Sequence, residues 1–88
     1  MAKTDSFYMN GDSYLLLVVY YSKFFEVSVL KDTTSLTVIK CLRQNFARHG
    51  IPEELISDNG PEFSSYEFQD FAREFGFKHL QDILKVMD

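Results

Sequence analysis

Cysteine is nearly missing from this chain: Cys41 stands alone among 88 residues. One cysteine excludes an internal disulfide and any all-cysteine zinc site, and it fits a reducing compartment. Two histidines, His49 and His79, complete the sulfur and imidazole inventory, which is a poor basis for a mixed zinc site. Basic charge is short as well, with nine Lys and Arg against thirteen Asp and Glu and a formal net charge of −4. That is the wrong sign for a domain that grips nucleic acid by its overall field. A site that meets phosphate through metal ions stays open, because such sites require clustered carboxylates. Long apolar runs are absent too. The longest extends from Tyr14 to Tyr21, whereas a membrane-spanning helix needs about 20 residues. Met1-Ala-Lys-Thr-Asp5 is polar and unlike a signal peptide, so an intracellular setting without a membrane partner is expected.

Apolar material is plentiful by contrast. Hydrophobic residues make up 45% of the chain, with nine Phe and five Tyr, the residues that bury the most area each. One domain at most fits this length, and a domain so small depends on a well-made core. Thr4 to Met9 alternates around Phe7 and reads as a strand carrying Asp5. Asn10-Gly11-Asp12 is a strong hairpin signal. Ser13 to Tyr21 shows no polar alternation and suggests a strand buried on both faces. After a turn at Ser22-Lys23, Phe25, Val27 and Val29 alternate with Glu26 and Ser28, the pattern of a strand with one face in water.

Asp32-Thr33-Thr34 offers helix N-caps, and Leu36, Val38, Ile39, Leu42, Phe46 and Ala47 form a helical stripe behind them. Gly50 and Pro52 end that helix. Cys41 falls on it as a small core residue. Glu54 to Ser57 is a short strand, and Ser64 with Glu67 has capping-box spacing for a second helix from about Ser65 to Phe75. Phe68, Phe71, Ala72 and Phe75 share one face of it. Their one-sided helical spacing marks core rather than a base-stacking platform. Phe77 to Leu80 is one more short strand. The tail 81–88 carries a weak helical pattern in Ile83, Leu84 and Met87.

The organising stretch is Leu55-Ile-Ser-Asp-Asn-Gly-Pro-Glu-Phe63. Leu55 and Ile56 give a buried strand, and Asn59-Gly60-Pro61 breaks it. Asp58 is left in a tight turn between a strand end and a helix start, a frequent place for a metal ligand or catalytic acid. Asp-Asn-Gly is also ordinary turn chemistry. The helix between the third and fourth strands is a crossover, so the fourth strand should run parallel to a neighbour. If that neighbour is the first strand, Asp5 and Asp58 come to one edge within reach of one cation.

These segments resemble the catalytic core of retroviral and Ty3/gypsy-type retrotransposon integrases, an RNase H-like domain. The resemblance rests on Thr4-Asp5, on the run from Tyr14 to Val27, on Phe46-Ala-Arg-His-Gly-Ile-Pro52, on Ile56-Ser-Asp-Asn-Gly-Pro-Glu-Phe63 and on Phe71-Ala-Arg-Glu-Phe-Gly-Phe-Lys-His79. It implies an α/β fold of order β-β-β-α-β-α-β, in which a three-stranded antiparallel meander is extended by a parallel strand and helices pack on the sheet. Residues 4–80 would be a partial core and 81–88 a divergent tail. Asp5 and Asp58 match the first two carboxylates of the family's D-D-E triad and would be both catalytic and metal-binding. Mg²⁺ or Mn²⁺ is the implied cofactor and DNA the implied partner, with a homodimer or another protein as further partners and a nuclear setting by family analogy.

Asn59, Lys78 and His79 are candidate nucleic-acid contacts, set against the plainer readings of a turn residue and a solvated strand end. Two departures qualify the resemblance. The family's third acid, a Glu on a later helix, should follow Asp58 by more than the thirty residues that remain, and Val19 stands where many relatives carry Asp. Glu62 sits too close to Asp58 in sequence, and on the wrong element, to stand in for that Glu. The resemblance therefore implies an integrase-like domain related to DNA integration that is inactive as an isolated chain, as in a truncated or domesticated transposable element. A protein–protein interaction module of the same descent is the alternative.

Overall fold

The computed structural model describes residues 1–81. Its first hairpin joins β1 (Ala2–Met9) to β2 (Asp12–Val19) through Asn10 and Gly11, at φ 54° and 87°. Two successive left-handed residues are what a two-residue hairpin loop needs for its twist to match the strands. A second turn, with Lys23 at φ 54°, leads to β3 (Phe24–Leu30) and completes the antiparallel meander. Helix α1 (Ser35–His49) then crosses over, and β4 (Glu54–Ser57) returns parallel to β1. Helix α2 (Tyr66–Phe75) leads to β5 (Lys78–Gln81), parallel to β4. The five strands lie in the order β3-β2-β1-β4-β5, and the element order is the expected one.

Both helices cover the same face of this sheet. The buried strand residues Ala2, Thr4, Leu15, Leu17, Leu30, Leu55 and Ser57 share that face by register. Val38, Ile39, Leu42 and Phe46 of α1 and Phe68, Phe71 and Ala72 of α2 complete the core. Rings knit the two helices to the sheet: Phe71 stands 5.6 Å from Phe68, 5.9 Å from Phe46 and 5.3 Å from Phe77 between centroids. Those separations lie in the favourable range for aromatic pairs.

Among the described residues the opposite face is uncovered, and the wet face expected of the third strand is its apolar one. On β3 the apolar Phe25, Val27 and Val29 are 68%, 48% and 71% exposed, while Glu26 and Ser28 point toward the helices. Glu26 is satisfied there: Arg48 donates to its carboxylate and His49 lies 3.0 Å away, both from the last turn of α1. Alternation marks two faces without naming the covered one, and the Arg48 and His49 contacts at the end of α1 hold the polar side of β3 inward. The two-sided burial expected for the second strand is likewise partial, because Leu15 and Leu17 are buried while Leu16 and Val18 on the open side are half-covered.

Smaller differences concern caps and stripes. Ser65, not Ser64, caps α2, accepting from the Phe68 N–H at 3.1 Å. Thr34 caps α1. Leu36 and Ala47 are exposed, and Asn45 takes a buried place instead, receiving a hydrogen bond from Arg48 at 2.6 Å. The last strand begins one residue later than expected, and the weak helical pattern of the tail falls on 82–88, outside the described residues.

Candidate functional site

The β1–β4 ladder pairs Ala2 with Leu55 and Lys3 with Ile56. Carried two residues further, the same register sets Asp5 opposite Asp58. Neighbouring strands lie about 4.8 Å apart, so this extension puts Asp5, in the middle of β1, near Asp58, the residue that follows β4. By the alternation of β1, Asp5 points to the open face, beside Leu16. Both aspartates are partly exposed.

Asp58 is held by its own turn. Its Oδ1 accepts the Gly60 N–H at 2.9 Å, and the turn closes through Phe63 N–H to Gly60 O at 3.0 Å and Ser64 N–H to Pro61 O at 3.2 Å. Phe63, at the end of the turn, is buried against Phe68 with 5.4 Å between ring centroids. On the other side, the Ser57 hydroxyl lies 3.0 Å from the Asp58 carbonyl oxygen and 2.7 Å from His79 Nε2. If the hydroxyl donates to the carbonyl, the ring nitrogen donates to the hydroxyl. His79 also packs at 4.7 Å on Phe68, and burial pushes its pKa below the ordinary 6.5. Desolvation disfavours the imidazolium.

The other sequence candidates fare differently. Asn59 is exposed in the turn beside Asp58. Lys78 opens β5 opposite Glu54, at the far end of β4 from Asp58, and the structure does not bring it to the aspartates. His79 comes near Asp58 through Ser57, but on the helix side of the sheet. Glu62, set aside on its spacing, does join this region. Ser6, the residue after Asp5, donates its hydroxyl to Glu62 Oε2. A methyl group at Gly60 would lie 2.4 Å from Glu62 Oε1 and 3.1 Å from Asp58 Oδ1, so both carboxylates lean over that glycine. The signal was present in Gly60, whose missing side chain gives the turn room to fold its fifth residue back over its first.

Two half-exposed aspartates on adjacent strands offer hard oxygen donors, the ligand type that Mg²⁺ and Mn²⁺ prefer. No cluster of three or more His, Cys, Asp or Glu able to hold a metal occurs among the described residues. A cavity of about 390 Å³ lined by Leu17, Val19, Phe46, Ile51 and Pro52 lies at the other end of the sheet and does not reach Asp58.

Residues 2–81 match the model of the integrase core domain. This chain belongs to that family. Among curated relatives, an uncharacterized protein of Caenorhabditis elegans, K02A2.6, is 34% identical over 71 residues, covering 81% of this chain and 6% of its own length. The Gag-Pol polyprotein of Koala retrovirus is 40% identical over 68 residues, covering 75% of this chain and 4% of the polyprotein. Among solved structures, the catalytic core of BIV integrase superposes with a TM-score of 0.85 at 26% identity, over 93% of this chain and 53% of that one. The catalytic core of HTLV-2 integrase in complex with magnesium, in a dimeric form, gives 0.82 at 28% identity, over 91% of this chain and 57% of that one. The fold is thus the RNase H-like fold of integrase cores, and this chain spans little more than half the length of those two cores. No helix among the described residues is long and apolar enough to cross a membrane.

Proposed function

We propose that this integrase core domain binds a divalent cation through Asp5 and Asp58 and engages DNA at that edge of the sheet. The observation that supports the reading is the parallel pairing of β1 with β4, whose register, continued two residues past its last pair, would bring the two carboxylates together. A bound Mg²⁺ or Mn²⁺ would supply positive charge to a phosphodiester's oxygens. The chain's own part is to hold Asp5 rigid on a strand, to orient Asp58 through the Gly60 N–H, and to present Asn59 at the open side of the turn. The HTLV-2 core in complex with magnesium supports the choice of metal, and the dimeric form of that core supports self-association as a second property. Family analogy extends the reading to DNA integration in the nucleus.

Two carboxylates do not complete the acid set of strand transfer, so the 88-residue chain on its own does not integrate DNA. An interaction module of the same descent is the second reading, favoured by the open apolar face around Phe25, Val27 and Val29. A ¹⁵N correlation spectrum with and without Mn²⁺, on wild type and Asp58→Asn, tests the first. Selective broadening around Asp5 and Asp58 in wild type alone is expected. Equal broadening in both proteins, or none in wild type, would overturn metal binding and leave the module. Mg²⁺-dependent strand transfer by the purified chain, abolished by Asp58→Asn, would overturn the claim of inactivity.

A further inference from the structure

We propose that Glu62 is the positioning residue of this site, clamping the Asp58 turn onto β1 through Ser6 and so fixing the separation of Asp5 and Asp58. The ladder between β1 and β4 ends at Lys3 and Ile56, before it reaches either aspartate. The next polar side chain on β1 does not help, since the Thr4 hydroxyl donates to Leu16 O on β2 at 3.0 Å. Ser6 does help. Its hydroxyl crosses to Glu62, a residue 56 positions away. The two ends of this bond are Asp5's immediate neighbour and the fifth residue of the turn that Asp58 opens. It therefore closes a small ring of chain around the pair of aspartates.

Gly60 shows how the clamp is accommodated. The Glu62 side chain crosses the place a Cβ would occupy at Gly60, beside the Asp58 oxygen that accepts the Gly60 N–H. Folding a second carboxylate toward Asp58 is unfavourable in itself, because like charges at short range repel. The Ser6 hydroxyl offsets that cost by giving Glu62 a donor. What Glu62 contributes in this arrangement is an acceptor at a fixed place, and its charge is incidental. The positioning claim rests on geometry, and its consequence for metal binding rests on the reading of Asp5 and Asp58 given above.

Glutamine keeps the acceptor and removes the charge, whereas alanine removes both. The test uses the 88-residue chain as wild type, Glu62→Gln, Glu62→Ala and Ser6→Ala, with Asp58→Asn as the metal-site reference. Mn²⁺ titrations followed by NMR broadening should give Glu62→Gln an affinity within about twofold of wild type, and weaken Glu62→Ala and Ser6→Ala by about 3- to 10-fold, the equivalent of one hydrogen bond. A Glu62→Gln as weak as Glu62→Ala would overturn the proposal in favour of charge, and unaltered affinity in Glu62→Ala and Ser6→Ala would overturn it outright. A metal-free readout separates this from failure of the metal site itself. Hydrogen exchange of the Gly60 amide, which donates to Asp58 Oδ1, should be slow in wild type and Glu62→Gln and faster in the other two. Equal exchange in all four proteins would overturn the clamp, whatever Mn²⁺ does. Ser6→Ala keeps the test decisive should Glu62→Ala fail to fold.

Discussion

Replacing Phe68 with alanine probes the link between core and site. Phe68 is fully buried on α2, and its ring meets Phe63 at 5.4 Å, Phe71 at 5.6 Å and His79 at 4.7 Å. Two of those neighbours frame the Asp58 turn: Phe63 ends it, and His79 bonds to Ser57. Truncating a buried Phe to Ala costs about 3–5 kcal/mol. A chain of this size holds roughly 4–13 kcal/mol in all, at ~0.05–0.15 kcal/mol per residue, so the variant should lose about a quarter of its stability or more. With a urea m-value of about 1.5 kcal/mol/M, the unfolding midpoint should fall by about 2–3 M. Phe68→Leu should fall between, because it fills much of the space but gives up ring pairs worth ~0.5–1.5 kcal/mol each. The folded fraction of Phe68→Ala should also show shifted amide resonances from Ser57 to Phe63. A loss below about 1.5 kcal/mol at unchanged m, with those resonances unmoved, would refute the packing that ties α2 to the turn.

Further outcomes follow from other parts of the structure. Val27→Lys on the open face should change stability by no more than about 0.5 kcal/mol, as surface substitutions do, whereas Leu17→Lys on the covered face should prevent folding by burying an unpaired charge; equal damage from both in urea unfolding would overturn the assignment of faces. His79 carries a pH dependence whose sign follows from its lowered pKa: above 6.5 the ring is neutral folded and unfolded, and below 6.5 the unfolded chain takes up the proton first. Stability should therefore fall with pH below 6.5 and level off below the folded pKa, and the difference in unfolding midpoint between wild type and His79→Gln, compared at about pH 7.5 and about pH 5.5, isolates this group. Arg43 and Glu74 join α1 to α2 at 3.0 Å with half or more of each side chain in water. A double-mutant cycle with alanine should return about 0.2–1 kcal/mol for such an exposed pair, shrinking in high salt.

The sequence by itself determined the local geometry wherever a residue's own chemistry fixes its backbone. Asn10-Gly11 dictated a two-residue hairpin, Gly50 and Pro52 the end of α1, and Leu55-Ile56 before Asn59-Gly60-Pro61 a strand that stops at Ser57. Such signals are short-range and need no partner. Connectivity then required β4 to run parallel to a neighbour, because a helical crossover leaves few other topologies, and the tertiary structure made that neighbour β1. Which side of β3 faces inward was decided only by the tertiary structure, because alternation is symmetric and the choice fell to Arg48 and His49 meeting Glu26 from α1. Distance in space likewise separated Lys78 from the aspartates, although its neighbour His79 comes within one serine of Asp58. Glu62 is the clearest case. Its spacing from Asp58 argued against a role, yet its partner Ser6 lies on a strand far away in sequence, and no local pattern encodes a hydrogen bond that exists only once β1 and β4 lie side by side.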